Sequence, residues 1–129
     1  GTGILAIAAL MKAKEKSADL PRIVGCDTDV DSIKIAIENA EVNDAAAVDL
    51  YVGSIDDSTD TFDFVCANLT ADVITPLLPL LTSKAAKKLV LSGILVEQCD
   101  DVLAELRALG VEDTKVERDG EWVSILVKF

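Results

Sequence analysis

The sequence predicts an α/β protein in one domain, residues 1–129, built from strand and helix units on an open sheet and closed by an antiparallel hairpin. Three observations predict it. Short β-branched apolar runs alternate with longer stretches of helical periodicity. The hydrophobic content is 50% with only 4% aromatics, so the core must be aliphatic, which suits helices layered on a sheet. The tail DTKVERDGEWVSILVKF holds two extended runs about Asp119-Gly120, a dipeptide that favours a tight hairpin turn. A chain of 129 residues can bury about two-thirds of its unfolded surface, enough for a stable core.

Each element follows from its local pattern. Gly1-Thr2-Gly3 precedes ILAIAALMKAKEK, an Ala- and Leu-rich helix that begins almost at the first residue. A helix opening on Gly-x-Gly presents unpaired backbone N–H groups at its positive end. Lys14 to Pro21 is a polar connection, and Arg22 to Cys26 reads as a buried strand with Asp27 at its carboxyl end. Ile33, Ile35, Ala36, Ile37 and Ala40 supply the apolar face of the next helix, with Asp29 or Asp31 to cap its start and Asn43 near its end. In open α/β sheets ligands bind beyond the carboxyl ends of strands, where an acid can accept hydrogen bonds from both hydroxyls of a ribose. Asp27 is thus the first candidate binding residue; the alternative is an exposed loop carboxylate.

Val48 to Val52 is a short strand ending at Gly53-Ser54, and SIDDSTDT is a loop. FDFVCAN is a strand ending at Asn68. LTADVITPLLPLLTSKAAKK has helical composition, although Pro76 and Pro79 call for a break or a first-turn position. Leu89 to Ser92 reads as a strand, followed by Gly93. Val102, Leu103, Leu106 and Leu109 recur at helical spacing in the stretch that stops at Gly110, a suitable C-terminal cap.

Twelve basic against 23 acidic residues give a net charge of -11, which repels phosphate backbones and favours a basic protein partner over direct contact with nucleic acid. The alternative is that the acidity serves solubility alone. Cys26, Cys66 and Cys99 are odd in number, and the first two lie inside apolar runs. Buried free thiols in a reducing, cytoplasmic setting are expected, with no metal site. The chain has no histidine, which removes Ser-His and Cys-His nucleophilic machinery. No apolar stretch reaches the ~18 residues of a membrane span.

Four stretches taken together, GTGILAIAAL, IVGCDTDVDSIKIAIENAEVN, FDFVCANLTADVITPLLP and LSGILVEQ, with GEWVSILVKF at the end, resemble the ribosomal protein L-eleven methyltransferase (PrmA) family. The resemblance implies a Rossmann-like class I methyltransferase fold, S-adenosylmethionine as cofactor and methylation of amines on a basic ribosomal protein. Gly1 and Gly3, with Thr2 between them, match the later part of that family's glycine-rich cofactor loop. Asp27, followed by Thr28, matches the acid that binds the cofactor ribose, and Ser54 and Ile55 match residues around the adenine. Asn68, with Leu69 after it, matches the asparagine beside the transferring methyl group.

The family's first strand and its separate substrate-binding domain would precede Gly1, and SKAAKK stands where a Pro-Gly-Gly turn is common. The resemblance thus implies a catalytic-domain fragment whose two flanking strands, Ile23 to Cys26 and Phe64 to Ala67, have unpaired edges through which copies could associate. Two other readings stay open. Gly1-x-Gly3-x-x-Ala6 with a later acid also fits a nicotinamide-dependent oxidoreductase, and a non-catalytic cofactor-binding or interaction domain needs no further residues.

Overall fold

The computed structural model describes residues 1–17 and 19–129, and its chain divides into two compact units, Gly1–Ile55 and Asp56–Phe129. In the first unit, helix α1 (Ile4–Lys16) leads to strand β1 (Val24–Asp27), helix α2 (Val30–Val42) and strand β2 (Asp49–Val52). The two strands pair in parallel with Asp27 opposite Val52. Ile7, Leu10, Ala40, Ala45 and Val48 form the buried cluster of this unit. On α2 only the stripe Ile33, Ala36 and Ala40 is buried, whereas Ile35 and Ile37 are exposed. Residues two apart on a helix lie about 200° apart around its axis, so five apolar residues in eight positions cannot share one face.

The second unit runs β3 (Phe62–Asn68), α3 (Ala71–Lys84), β4 (Ala85–Leu95), a short 3-10 turn (Val96–Gln98), α4 (Cys99–Ala108), β5 (Thr114–Asp119) and β6 (Trp122–Lys128). Its sheet has the order β3-β4-β6-β5, with β3 and β4 parallel and β6 antiparallel to both of its neighbours. This is the expected α/β plan with a terminal hairpin. Ala67, Leu89, Leu91, Val123, Ile125 and Val127 are buried, as are Ile74, Leu78 and Leu81 of α3 and Val102 and Leu106 of α4. Helix α4 ends as the glycine predicts. Gly110 has φ 83°, its N–H donates to Arg107 O at 2.9 Å, and the Val111 N–H donates to Leu106 O at 3.0 Å.

Three further expectations need correction. Pro76 and Pro79 both lie inside the continuous helix α3, neither breaking it nor occupying its first turn. Each interior proline costs about 3 kcal/mol, but burying Ile74, Leu78 and Leu81 returns about 1.5 to 3 kcal/mol each and keeps the helix whole. Strand β4 is much longer than its apolar run, because Ala85 to Lys88 continue it directly from α3, with Ala85 and Lys88 paired to β3 and Lys88 to β6. Cys26 and Cys66 are exposed and only Cys99 is buried. Among the described residues β1 pairs with β2 alone and β3 with β4 alone, so each strand has a neighbour on one side only.

Candidate functional site

In the first unit the strand-acid-helix corner is tied together by its own backbone. Asp27 stands last in β1, and its Oδ1 accepts the Asp29 N–H at 2.9 Å while its Oδ2 accepts from the Gly1 nitrogen. The hydrogen bonds it accepts hold the Asp27 carboxyl below the usual carboxylate range. A lowered value means that the ionised form persists through neutral pH and is lost only as pH falls below that range. Each carboxylate oxygen keeps a second lone pair, so both can accept from a diol. Asp29 caps α2 as expected, its Oδ1 accepting the Asp31 N–H at 3.1 Å and its Oδ2 the Ser32 hydroxyl at 2.9 Å.

Gly3 starts α1 with φ 79°, and a Cβ there would stand 2.9 Å from Ala36 Cβ. Its missing side chain therefore lets α1 approach α2 as well as relaxing the turn. Asn39, which the sequence reading passes over, donates from Nδ2 to Thr2 O at 3.0 Å and anchors the glycine loop to α2. Gly1, Thr2, Thr28 and Ser54 are exposed and Ile55 is half-buried. The Gly53 N–H donates to Asp27 O at 2.8 Å, so Ser54 leaves β2 beside the end of β1.

In the second unit Asn68 ends β3 and Leu69 follows it, its N–H donating to Ser92 O at 3.1 Å. Gly93 interrupts β4 with φ 83° at an irregularity in its pairing with β6. A Cβ at Gly93 would stand 2.6 Å from Leu69 O and 2.8 Å from Asn68 Oδ1. Gly93 thus lets the Asn68 amide lie directly on the β4 backbone, a constraint that its place inside a strand only hints at. Two open hollows, of about 440 and 420 Å³, share Asn68, Gly93 and Trp122. Leu69, Thr70 and Val73 line the second. Trp122, quoted in sequence only as part of a motif, forms a wall of both, and it is 48% exposed. Leu69, Val73 and Trp122 give the second hollow apolar walls beside the Asn68 amide, whereas the first is lined mainly by polar side chains. Among the described residues no group of three or more His, Cys, Asp or Glu side chains could hold a metal.

The family model described as ribosomal protein L11 methyltransferase (PrmA) matches residues 1–129. A ribosomal protein L11 methyltransferase of Myxococcus xanthus is 37% identical over 125 residues, which cover 97% of this chain and 41% of that protein. The chain thus spans about two-fifths of the length of this relative. The crystal structure of a ribosomal protein L11 methylase from Lactobacillus delbrueckii subsp. bulgaricus superimposes with a TM-score of 0.85 at 27% identity, covering 99% of this chain and 65% of that one. An RNA methyltransferase from Salinibacter ruber, solved in complex with S-adenosyl-L-homocysteine, shares the fold at a TM-score of 0.64 and 21% identity, covering 99% of this chain and 74% of that one.

Proposed function

The chain belongs to the ribosomal protein L11 methyltransferase family, and from that premise we propose that residues 1–129 form the catalytic domain of a protein N-methyltransferase. Its cofactor is S-adenosylmethionine and its substrate amines lie on ribosomal protein L11, in the cytoplasm. The observation that carries the reading is Asn68: a strand-end amide seated on Gly93, at the junction of two hollows that share Trp122 as a wall, with Leu69 lining the second. When bound, S-adenosylmethionine supplies an electrophilic methyl carbon. The protein then needs to orient a neutral amine and exclude competing water, and no covalent nucleophile is required. Asn68 Oδ1 accepts an N–H of the amine and directs its lone pair.

Asp27 fits the ribose, because its fixed carboxylate retains acceptor capacity for two hydroxyls. Gly1, Thr2 and Gly3 receive the methionine portion, Thr28 borders the ribose, and Ser54 and Ile55 flank the adenine. The net charge of -11 suits a basic protein substrate and disfavours direct nucleic-acid contact. No helix among the described residues is long and apolar enough to cross a membrane. Radiolabelled S-adenosylmethionine, incubated with the full-length protein and ribosomal protein L11, should label L11; no label under conditions where the cofactor binds would refute the reading.

Two further outcomes follow from the same geometry. Asp27→Ala should raise the cofactor dissociation constant by about tenfold, the loss of one charge-assisted hydrogen-bonding partner. Calorimetric titration checks it, and an unchanged constant would remove Asp27 from the ribose site. The one-sided pairing of β1 and β3 leaves strand edges able to recruit others, so the 129-residue polypeptide should associate with further copies of itself. Light scattering should show a mass above the monomer; a concentration-independent monomer would contradict this.

A further inference from the structure

The larger hollow contains two carboxylates that the reading above does not use. In β6, Val123 and Ile125 are buried, so Trp122 and Ser124 project from the opposite face of the sheet. Residues paired across strands share a face, and Glu117 pairs with Ser124 while Asp119 pairs with Trp122. On the far side of the hollow, Ala67 and Leu91 are buried and paired, so Asn68 and its partner Ser92 also face away from the core. One sheet face thus carries Asn68, Ser92, Ser124 and Glu117 from four successive strands, with Trp122 and Asp119 beside them, and all six line the same hollow.

Its charge is one-sided. Arg118 is the one basic residue of the lining, but it pairs with buried Val123 and so belongs to the other face, and its Nε donates to Gly120 O at 2.9 Å. Glu117 meets Lys115 Nζ at 3.3 Å, yet both side chains are about 70% exposed, and such a pair holds its partners only weakly. Asp119 has no cation within salt-bridge distance among the described residues. Two carboxylates beside an exposed indole form a receptor for an alkylammonium group, the ring face adding attraction to the ion pairs.

We propose that Glu117 and Asp119 are specificity-determining residues that capture the primary ammonium group of the acceptor protein against Trp122, next to Asn68. The proposal rests on the methyltransferase reading and assigns its amine entrance. Carboxylates here favour the protonated amine, so they aid capture and the rate of encounter; the captured ammonium then gives up a proton to the water that reaches this open hollow before Asn68 orients the neutral amine, whose reactivity the carboxylates do not raise. Their loss should therefore appear in KM and leave kcat nearly unchanged.

The test follows the indole N–H resonance of Trp122 in the full-length protein, assigned by its loss in Trp122→Phe. The probes are N-acetyl-lysine methylamide, alanine methylamide and the neutral N-acetyl-norleucine methylamide. A saturable shift with one or both ammonium compounds, weakened about three- to tenfold in the Glu117→Gln/Asp119→Asn double variant and by added salt, supports the proposal and tells a side-chain amine from an α-amine. Equal binding of the norleucine compound, no shift with either ammonium, or an unaltered affinity in the double variant would overturn it. Methyl transfer to L11 is measured separately. Ammonium binding without transfer would fault the methyltransferase reading alone, whereas transfer with the same KM in the double variant would fault the proposed entrance alone.

Discussion

Gly93→Ala should cost about 2 to 4 kcal/mol of folding stability and should also abolish most methyl transfer. Two effects add at this position. An alanine at φ 83° occupies the left-handed region, which costs an L residue with a side chain roughly 1 to 2 kcal/mol. Its Cβ would also meet Leu69 O at 2.6 Å and Asn68 Oδ1 at 2.8 Å, and the first of these belongs to backbone that cannot rotate aside. Relief requires β4 to move away from the end of β3, where the Leu69 N–H bonds Ser92 O. Chemical denaturation measures the stability loss. A variant as stable as the parent would show that β3 and β4 do not hold this close approach.

Asn68→Ala should lower the methylation rate by about 10- to 100-fold while changing cofactor affinity little, because the role proposed for the amide is to orient the amine being methylated. The split matters. A residue that only shaped the fold would reduce stability and cofactor binding together, whereas one that orients the acceptor reduces turnover at saturating cofactor. Asn68 is exposed, so truncating it opens no core cavity. Single-turnover measurement with L11 tests it, and parent-like turnover would end the case for a role in transfer.

The parts of this structure that were legible in the sequence are those fixed by neighbours in the chain. The strand, acid and capped helix from Val24 to Val42 form from residues within a few positions of one another, so Asp27 and its Asp29 cap could be placed in advance. The Asp119-Gly120 turn and the Gly110 cap are local for the same reason. Features set by distant pairing were not legible. Ala85 to Lys88 carry no strand-like apolar run and join β4 only because β3 and β6 accept them. Gly93 shows its function only once Leu69 and Asn68 lie over it, and Trp122 becomes a wall only when β6 lies next to β4. The Gly-x-Gly start with a following acid fits two cofactor classes, and the family match over residues 1–129 is what favours one of them.

The central claim is that this chain supports transfer of methyl groups from S-adenosylmethionine to amines of ribosomal protein L11. Intact-mass spectrometry of L11, after incubation with the full-length protein and cofactor, tests it most directly. The account predicts whole-methyl mass increments on L11 that grow with time and are strongly reduced with Asn68→Ala. Unmodified L11 in the presence of protein shown by calorimetry to hold S-adenosylmethionine would contradict it.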